Sequence, residues 1–241
     1  MYFNDVTIGS VHQIQPCMFT RTNHVFRRWQ RRPHGTFYYV TGPINTSITV
    51  DGPVDLYADW IDTTYKDPLV LDLDGKGILT TSLANGVIFD YVGNGQPVKT
   101  AWADPSSGFL VLDLNGDGQI VDGSQLLGNF TVLKNGDLAK HGFQVLAEID
   151  LNGDGKVDRI EAEAAGLLIW RDVNVNGKSD PGELMTFEEA GVLYVETGYK
   201  VRSKIDENGN MLRWIGKFAR SDGSIASAID VIFLTEDIEK D

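Results

Sequence analysis

Residues 150–161 read DLNGDGKVDRIE. Side chains that carry oxygen fall at positions 1, 3 and 5 (Asp150, Asn152, Asp154), at 9 (Asp158) and at 12 (Glu161), with Gly155 at position 6. A calcium ion takes about six to eight oxygens, and a loop of about 12 residues supplies them from these positions and from the backbone carbonyl of the seventh. Here that carbonyl belongs to Lys156. Gly155 permits the sharp turn, Glu161 closes the cage with both oxygens, and Val157 is expected to pack against a neighbouring loop. A solvated Gly/Asn/Asp turn is the plainer alternative, but it needs neither the glycine at position 6 nor the closing glutamate.

Residues 172–183, DVNVNGKSDPGE, repeat the pattern. Asp172, Asn174, Asn176, Lys178, Asp180 and Glu183 fall on positions 1, 3, 5, 7, 9 and 12, with Gly177 at 6. This loop has three carboxylates where the first has four, so weaker binding is expected. Its position 8 is Ser179, so the usual apolar contact is missing. Few residues separate Glu161 from Asp172, and they end in the apolar run GLLIWR. A short helix fits after the first loop, but no separate helix fits before the second. The expected fold is therefore α+β, a mixed frame of short strands and a few short helices carrying EF-hand-like calcium loops. Helical patterns are read in GFQVLAEI, RIEAEAAG and ELMTFEEAG.

Partial copies lie upstream. DLNGDGQIVDGSQ keeps Asp113, Asn115 and Asp117 with Gln119 as carbonyl donor, but has Ser124 at position 12 and then Gln125. DLDGKG has Lys76 at position 5 and DYVGNG has Val92 at position 3, which reads as turns that have lost their ion. The leading aspartates at 72, 113, 150 and 172 are irregularly spaced, so this is no solenoid. After Val192 the chain alternates strand-like runs with hairpin turns at ENGN and SDGS.

The chain has 241 residues, 42% hydrophobic, enough for a substantial core. Residues 1–66 form a β-rich N-terminal segment of unknown role, with six Lys/Arg against five Asp/Glu. Residues 67–241 have 15 Lys/Arg against 29 Asp/Glu, a field that repels nucleic acid and suits hard cations. The cluster RRWQRR reads as a solvated charged face. Cys17 is the single cysteine, so there is no internal disulfide framework, and no apolar run is long enough for a membrane span. His12, Cys17, His24 and His34 follow no metal-ligand spacing. The opening MYFNDVTIGS has no basic start and no apolar continuation, unlike a signal peptide.

Several stretches carry a resemblance: DPLVLDLDG, GVIFDYVGNG, GFLVLDLNGDG, DGSQLLGN, HGFQVLAEIDLNGDG, IWRDVNVNGKSDPGEL and the terminal SDGS with DVIF. In this order, from Pro68 to about Leu234, they resemble the calcium-dependent self-processing module of the iron-regulated RTX (repeat-in-toxin) proteins of Gram-negative bacteria. The resemblance implies secretion without an N-terminal signal peptide, to an extracellular location, and calcium-dependent folding. It also implies cleavage of the Asp-Pro bond at the module's N-terminal edge, here Asp67-Pro68, after which the freed aspartyl group joins a lysine of another protein in an isopeptide bond. Lys76, Val92 and Gln125 depart from the acids usual in the family. The chemistry needs no separate nucleophile, because the Asp67 carboxylate can attack its own backbone carbonyl through a five-membered ring with Pro68 as leaving group. The plainer reading is that Pro68 starts a strand, as Asp104-Pro105 and Asp180-Pro181 caution.

Overall fold

The computed structural model describes residues 66–238 and, before them, the backbone of five strands. The chain divides into two compact units, residues 1–64 and 65–241. In the first, β1 (Val11–Gln13) pairs antiparallel with β4 (Ser47–Thr49). Separately, β2 (His24–Arg32) pairs with β3 (Tyr38–Tyr39) and β5 (Asp55–Asp62). Cys17 and His34 lie outside the described residues.

The second unit is built on β6 (Leu69–Asp72), β7 (Val87–Phe89), β8 (Val98–Thr100), β9 (Ser107–Leu112), α1 (Gly142–Ile149), β10 (Lys156–Asp158), α2 (Arg159–Ala165), β11 (Leu167–Trp170) and β12 (Leu184–Met185). It continues with β13 (Val192–Glu196), β14 (Lys200–Ile205), β15 (Met211–Arg220), β16 (Ile225–Ile232) and β17 (Thr235–Asp237). Nine strands form one sheet in the order β10-β13-β15-β16-β6-β9-β11-β12, with β14 also pairing β15. A smaller sheet runs β17-β8-β7.

Alternation along β6 explains why LVLD is apolar on both faces. Leu69 and Leu71 point toward α1, whose Phe143, Leu146 and Ile149 recur on one helix face and join them in the main core with Ile169 and Phe218. Val70 sits opposite Phe109 in the ladder and so faces the other way. On that side an aromatic layer forms, with Trp102 4.5 Å from Phe109 and 5.6 Å from Trp170 between ring centroids. Each full burial of such a side chain contributes roughly 1.5–3 kcal/mol. The central strands are thus covered twice, and the loops hang from a rigid sheet.

This architecture overturns the α+β frame with EF-hand-like helical loops. Over residues 66–238 strands and bridges account for 37% and helices for 9%, in two helices only. ELMTFEEAG does not become a helix. Leu184–Met185 is a strand, and the chain then makes one turn in which Ala190 N–H reaches the Thr186 carbonyl at 3.0 Å. Gly191, at φ 67°, stops it, and Val192 enters the sheet. Sheet pairing outweighed a helical propensity that is weak over so few residues.

Candidate functional site

Five turns share one local device, an aspartate that folds back to accept backbone N–H groups ahead of it. Asp150 takes Gly153 at 2.8 Å and Gly155 at 2.9 Å. Asp72 takes Gly75 and Gly77, Asp90 takes Gly93 and Gly95, and Asp113 takes Gly116 and Gly118. Asp172 takes Asn176 and Gly177. Gly153 and Gly155 stand at φ 72° and 82°, where a side chain is strained, which explains the Asp-x-x-Gly-x-Gly spacing.

In residues 150–161 the loop is drawn closed by Glu161. Its Oε1 accepts from Leu151 at 2.8 Å and Asn152 at 3.1 Å, and its Oε2 accepts from Asp158 at 3.2 Å. Asp158 caps α2 by accepting from Ile160 and Glu161 N–H, and Asn152 and Asp154 each turn back to the loop. Lys156 starts β10, and Val157 is buried where β10 meets β13, opposite Val195, so its partner is a strand and not a loop.

Residues 172–183 are closed the same way by Glu183, which accepts from Val173 at 3.0 Å and Asp180 at 3.1 Å. Here the aromatic layer joins in: Trp102 Nε1 donates to Asp172 at 2.9 Å and Trp170 Nε1 to Glu183 at 3.3 Å. Burial raises the Asp172 carboxyl above its usual range, against the lowering pull of the Gly177 and Asn176 N–H groups. Asn174 and Asn176 both donate to Asp180 Oδ2, and Lys178 N–H reaches Asn176 Oδ1. Val175 is forced to φ 53°. Ser179, where the usual apolar contact is missing, is buried and accepts the N–H of Ile120 at 2.8 Å, so this loop and the one from Asp113 are joined by a polar bond at their eighth positions.

The loop from Asp113 is closed differently. Asp117 accepts the Gln119 N–H, and the Gln119 carbonyl, the expected cation ligand, instead receives Gln125 Nε2 at 2.8 Å. Asn115 lies exposed in the turn. In the turn from Asp72 an ammonium takes part, Lys76 Nζ lying 2.9 Å from Asp74, and Arg220 donates to the Asp72 carbonyl at 2.6 Å.

Asp67 and Pro68 are tied into the sheet: Val231 N–H donates to the Pro68 carbonyl at 3.1 Å and Phe233 N–H to that of Lys66 at 3.2 Å. Asp67 is buried, 2% exposed, and its Oδ1 accepts the Asn129 N–H at 2.9 Å. Burial raises its carboxyl to about 7, although the Asn129 N–H and the positive charge of Arg213 oppose the shift. Gly128 presses on the bond, since a Cβ there would stand 2.9 Å from the Asp67 carbonyl oxygen and 3.2 Å from its carbon. Pro68, Tyr91, Gly128 and Phe130 line a space with no room for a water molecule. Asp230 on β16 is fully buried, and its carboxyl is pushed well up by burial and then by the charge of Asp67.

Residues 69–234 match the family model described as the SPM domain. The chain belongs to the SPM domain family. It is 39% identical over 174 residues to the iron-regulated protein FrpA of Neisseria meningitidis serogroup C. That alignment takes in 71% of this chain but 16% of the relative, so the chain spans a small part of the relative's length. All five turns and Asp230 of this SPM domain fall inside the match, while Asp67-Pro68 stands directly before it.

Reading the sequence missed Gly128 and Asn129, which touch Asp67, Asp230, which its charge reaches, and His141, which lies 4.0 Å from Asp230. The one available signal was the aspartate inside the apolar run AIDVIFL. Among the described residues no three His, Cys, Asp or Glu side chains converge as a ready-made metal cluster. The loops of this SPM domain would hold a cation differently, through amide and carbonyl oxygens added to carboxylates. The two Asp150 oxygens, Glu161 Oε2, Asp172 Oδ1 and Glu183 Oε1 each accept one N–H and retain a lone pair for a ligand bond. Glu161 Oε1, Asp172 Oδ2 and Glu183 Oε2 already accept two and would have to exchange one for the ion. Among the described residues no helix is long and apolar enough to cross a membrane.

Proposed function

We propose that this chain is the calcium-binding module of a larger secreted, RTX-like protein, folded and stabilised by Ca2+ held in residues 150–161 and 172–183. One observation carries the reading. Both loops close on a buried glutamate whose two oxygens reach the beginning and the ninth residue of the loop. In the first loop Asp150, Asn152, Asp154, the Lys156 carbonyl, Asp158 and Glu161 would hold the ion. In the second, Asp172, Asn174, Asn176, the Lys178 carbonyl, Asp180 and Glu183 would do so. Bound calcium supplies charge neutralisation, and the chain's own N–H groups and indoles orient the ligands. Asp113, Asn115, Asp117 and Gln119 form a loop already closed by the Gln125 amide, and we assign it no ion. Kinship with the iron-regulated protein FrpA supports an extracellular location. Native mass spectrometry with millimolar calcium should show two bound ions, and thermal denaturation should show a large loss of stability in chelator. Identical melting in the two conditions would refute the reading.

A second reading is favoured by the burial of Asp67: calcium-triggered self-cleavage of Asp67-Pro68. In a space that excludes water, an internal nucleophile has the advantage over hydrolysis, and a five-membered ring gives it a large effective concentration. Gly128 and the Pro68–Val231 bond hold the peptide in place for attack by the Asp67 carboxylate. The cyclic product opens to water or to a lysine amine, the latter leaving an Asp-Lys isopeptide bond. Calcium should yield fragments of 67 and 174 residues, and Asp67→Ala should abolish them.

A further inference from the structure

The ladder that carries Asp67 also sets the direction of its side chain. Lys66 and Pro68 bond to Phe233 and Val231, and Leu69 lies opposite Asp230. Asp67, two residues before Leu69, thus addresses the same face of the sheet as Leu69 and Asp230. On that face the Asp230 Oδ1 accepts the N–H of Gly142, the first residue of α1, at 3.2 Å. Gly142 is a glycine for this reason: a Cβ would stand 2.8 Å from Asp230 Oδ1 and 2.7 Å from Leu69 Cβ.

The other oxygen of Asp230 has no hydrogen-bond partner, and neither has His141 Nδ1, which lies 4.0 Å from it. Both atoms are buried. The imidazole cannot swing away, being stacked on Trp214 at 5.1 Å and met edge-on by Tyr199 at 4.7 Å between ring centroids. Two buried polar atoms left facing one another across this gap are an uncommon arrangement, since such groups are costly to leave unsatisfied. The fold has kept a carboxyl and an imidazole aimed at each other on the face of the sheet that Asp67 addresses.

We propose that Asp230, positioned by His141, is the proton donor for scission of the Asp67-Pro68 bond. This rests on the self-cleavage reading above and deepens it. Ionised Asp67 attacks its own carbonyl carbon, forming a new C–O bond. The C–N bond breaks with its electron pair on the Pro68 nitrogen, which takes the proton of the Asp230 carboxyl. Water then opens the anhydride to two carboxylates and releases two protons. One restores Asp230 and the other is taken by the Pro68 amine. His141 is a positioning residue: its Nδ1–H meets the Asp230 carboxylate while that group is charged. The groups that bear on this titration are Asp67, His141, Arg213, which lowers Asp67, Lys140, which together with burial keeps His141 low, and Tyr91, which Asp67 influences.

The experiment measures cleavage rate against pH in calcium for wild type, Asp230→Asn and His141→Gln, with Asp67→Asn as the silent control. Asparagine keeps the acceptor for the Gly142 N–H, and melting curves check each fold. Asp230→Asn should cleave roughly a hundredfold more slowly, and its profile should lose the alkaline limb, because no donor carboxyl remains to ionise after Asp67. His141→Gln should be slower, with the profile displaced. A purely structural role would lower melting temperatures and leave the profile in place. Unchanged rates and profiles in both variants overturn the proposal. Carboxyl-carbon NMR separates the two readings, because it follows Asp67 and Asp230 on the intact chain. If Asp230 titrates identically in wild type and Asp67→Asn, the pair is absent and the proposal fails whether or not the bond breaks. If the pair titrates together but wild type stays whole at every pH, the cleavage reading fails and the donor role falls with it.

Discussion

Neutralising Glu161 separates two accounts of why this loop carries acids. If its charge only adds to repulsion that calcium must overcome, Glu161→Gln should lower the calcium needed for folding. The structure argues the opposite sign. Glu161 is buried and accepts three N–H groups, two at Oε1 and one at Oε2. Hydrogen bonds to a charged acceptor contribute about 1.5–3 kcal/mol and neutral ones about 0.5–1.5 kcal/mol. Glutamine keeps two as neutral bonds and loses the third, where its NH2 would face the Asp158 N–H, so the deficit is about 4 kcal/mol. With two ions bound, each tenfold rise in calcium adds about 2.8 kcal/mol, so the folding midpoint should move roughly 25-fold upward. Losing a charged ligand of the ion adds to this. Circular dichroism against free calcium measures the midpoint, and Glu163→Gln, exposed on the same helix, should shift it by less than about twofold. Equal midpoints for the two variants, or a lower one for Glu161→Gln, would refute the reasoning.

The raised carboxyl of Asp67, about 7 in the fold against 3.8, binds its proton more tightly in the folded state. Its contribution is therefore fully present below about pH 4 and is lost as pH rises through 7, an effect of about 4 kcal/mol. Urea unfolding of wild type, verified intact by mass spectrometry, should show this decline between pH 4 and 8, and Asp67→Asn should lack it. Replacing Gln125 by Glu removes the bond to the Gln119 carbonyl and sets an anion against it, costing about 1–3 kcal/mol in chelator. In millimolar calcium the same variant should gain one bound ion by native mass spectrometry. Trp102→Phe keeps most of the aromatic packing but strips a donor from Asp172, which should cost about 1.5–3 kcal/mol. It should also weaken the change in tryptophan emission on adding calcium, and an unaltered emission change would count against coupling between the aromatic layer and this loop.

What the sequence determined by itself was local. An aspartate followed by glycines three and five residues on closes its own turn, and a glutamate at position 12 reaches back within the same dozen residues. No distant segment is needed for Asp150 to find Gly153 and Gly155, so spacing alone discloses that geometry. The tertiary structure decided what depends on segments far apart in the chain. Thr186–Gly191 became a turn because Val192 was claimed by the sheet. Ser179 found Ile120, and the Gln125 amide took the carbonyl of Gln119. Above all, Asp67 owes its raised carboxyl to burial against Gly128 and the chain before α1, which outweighs the lowering pull of the Asn129 N–H. Turn geometry is governed by torsions within a few residues. A carboxyl's hold on its proton is governed by whatever surrounds it in space, and only the folded sheet assembles those surroundings.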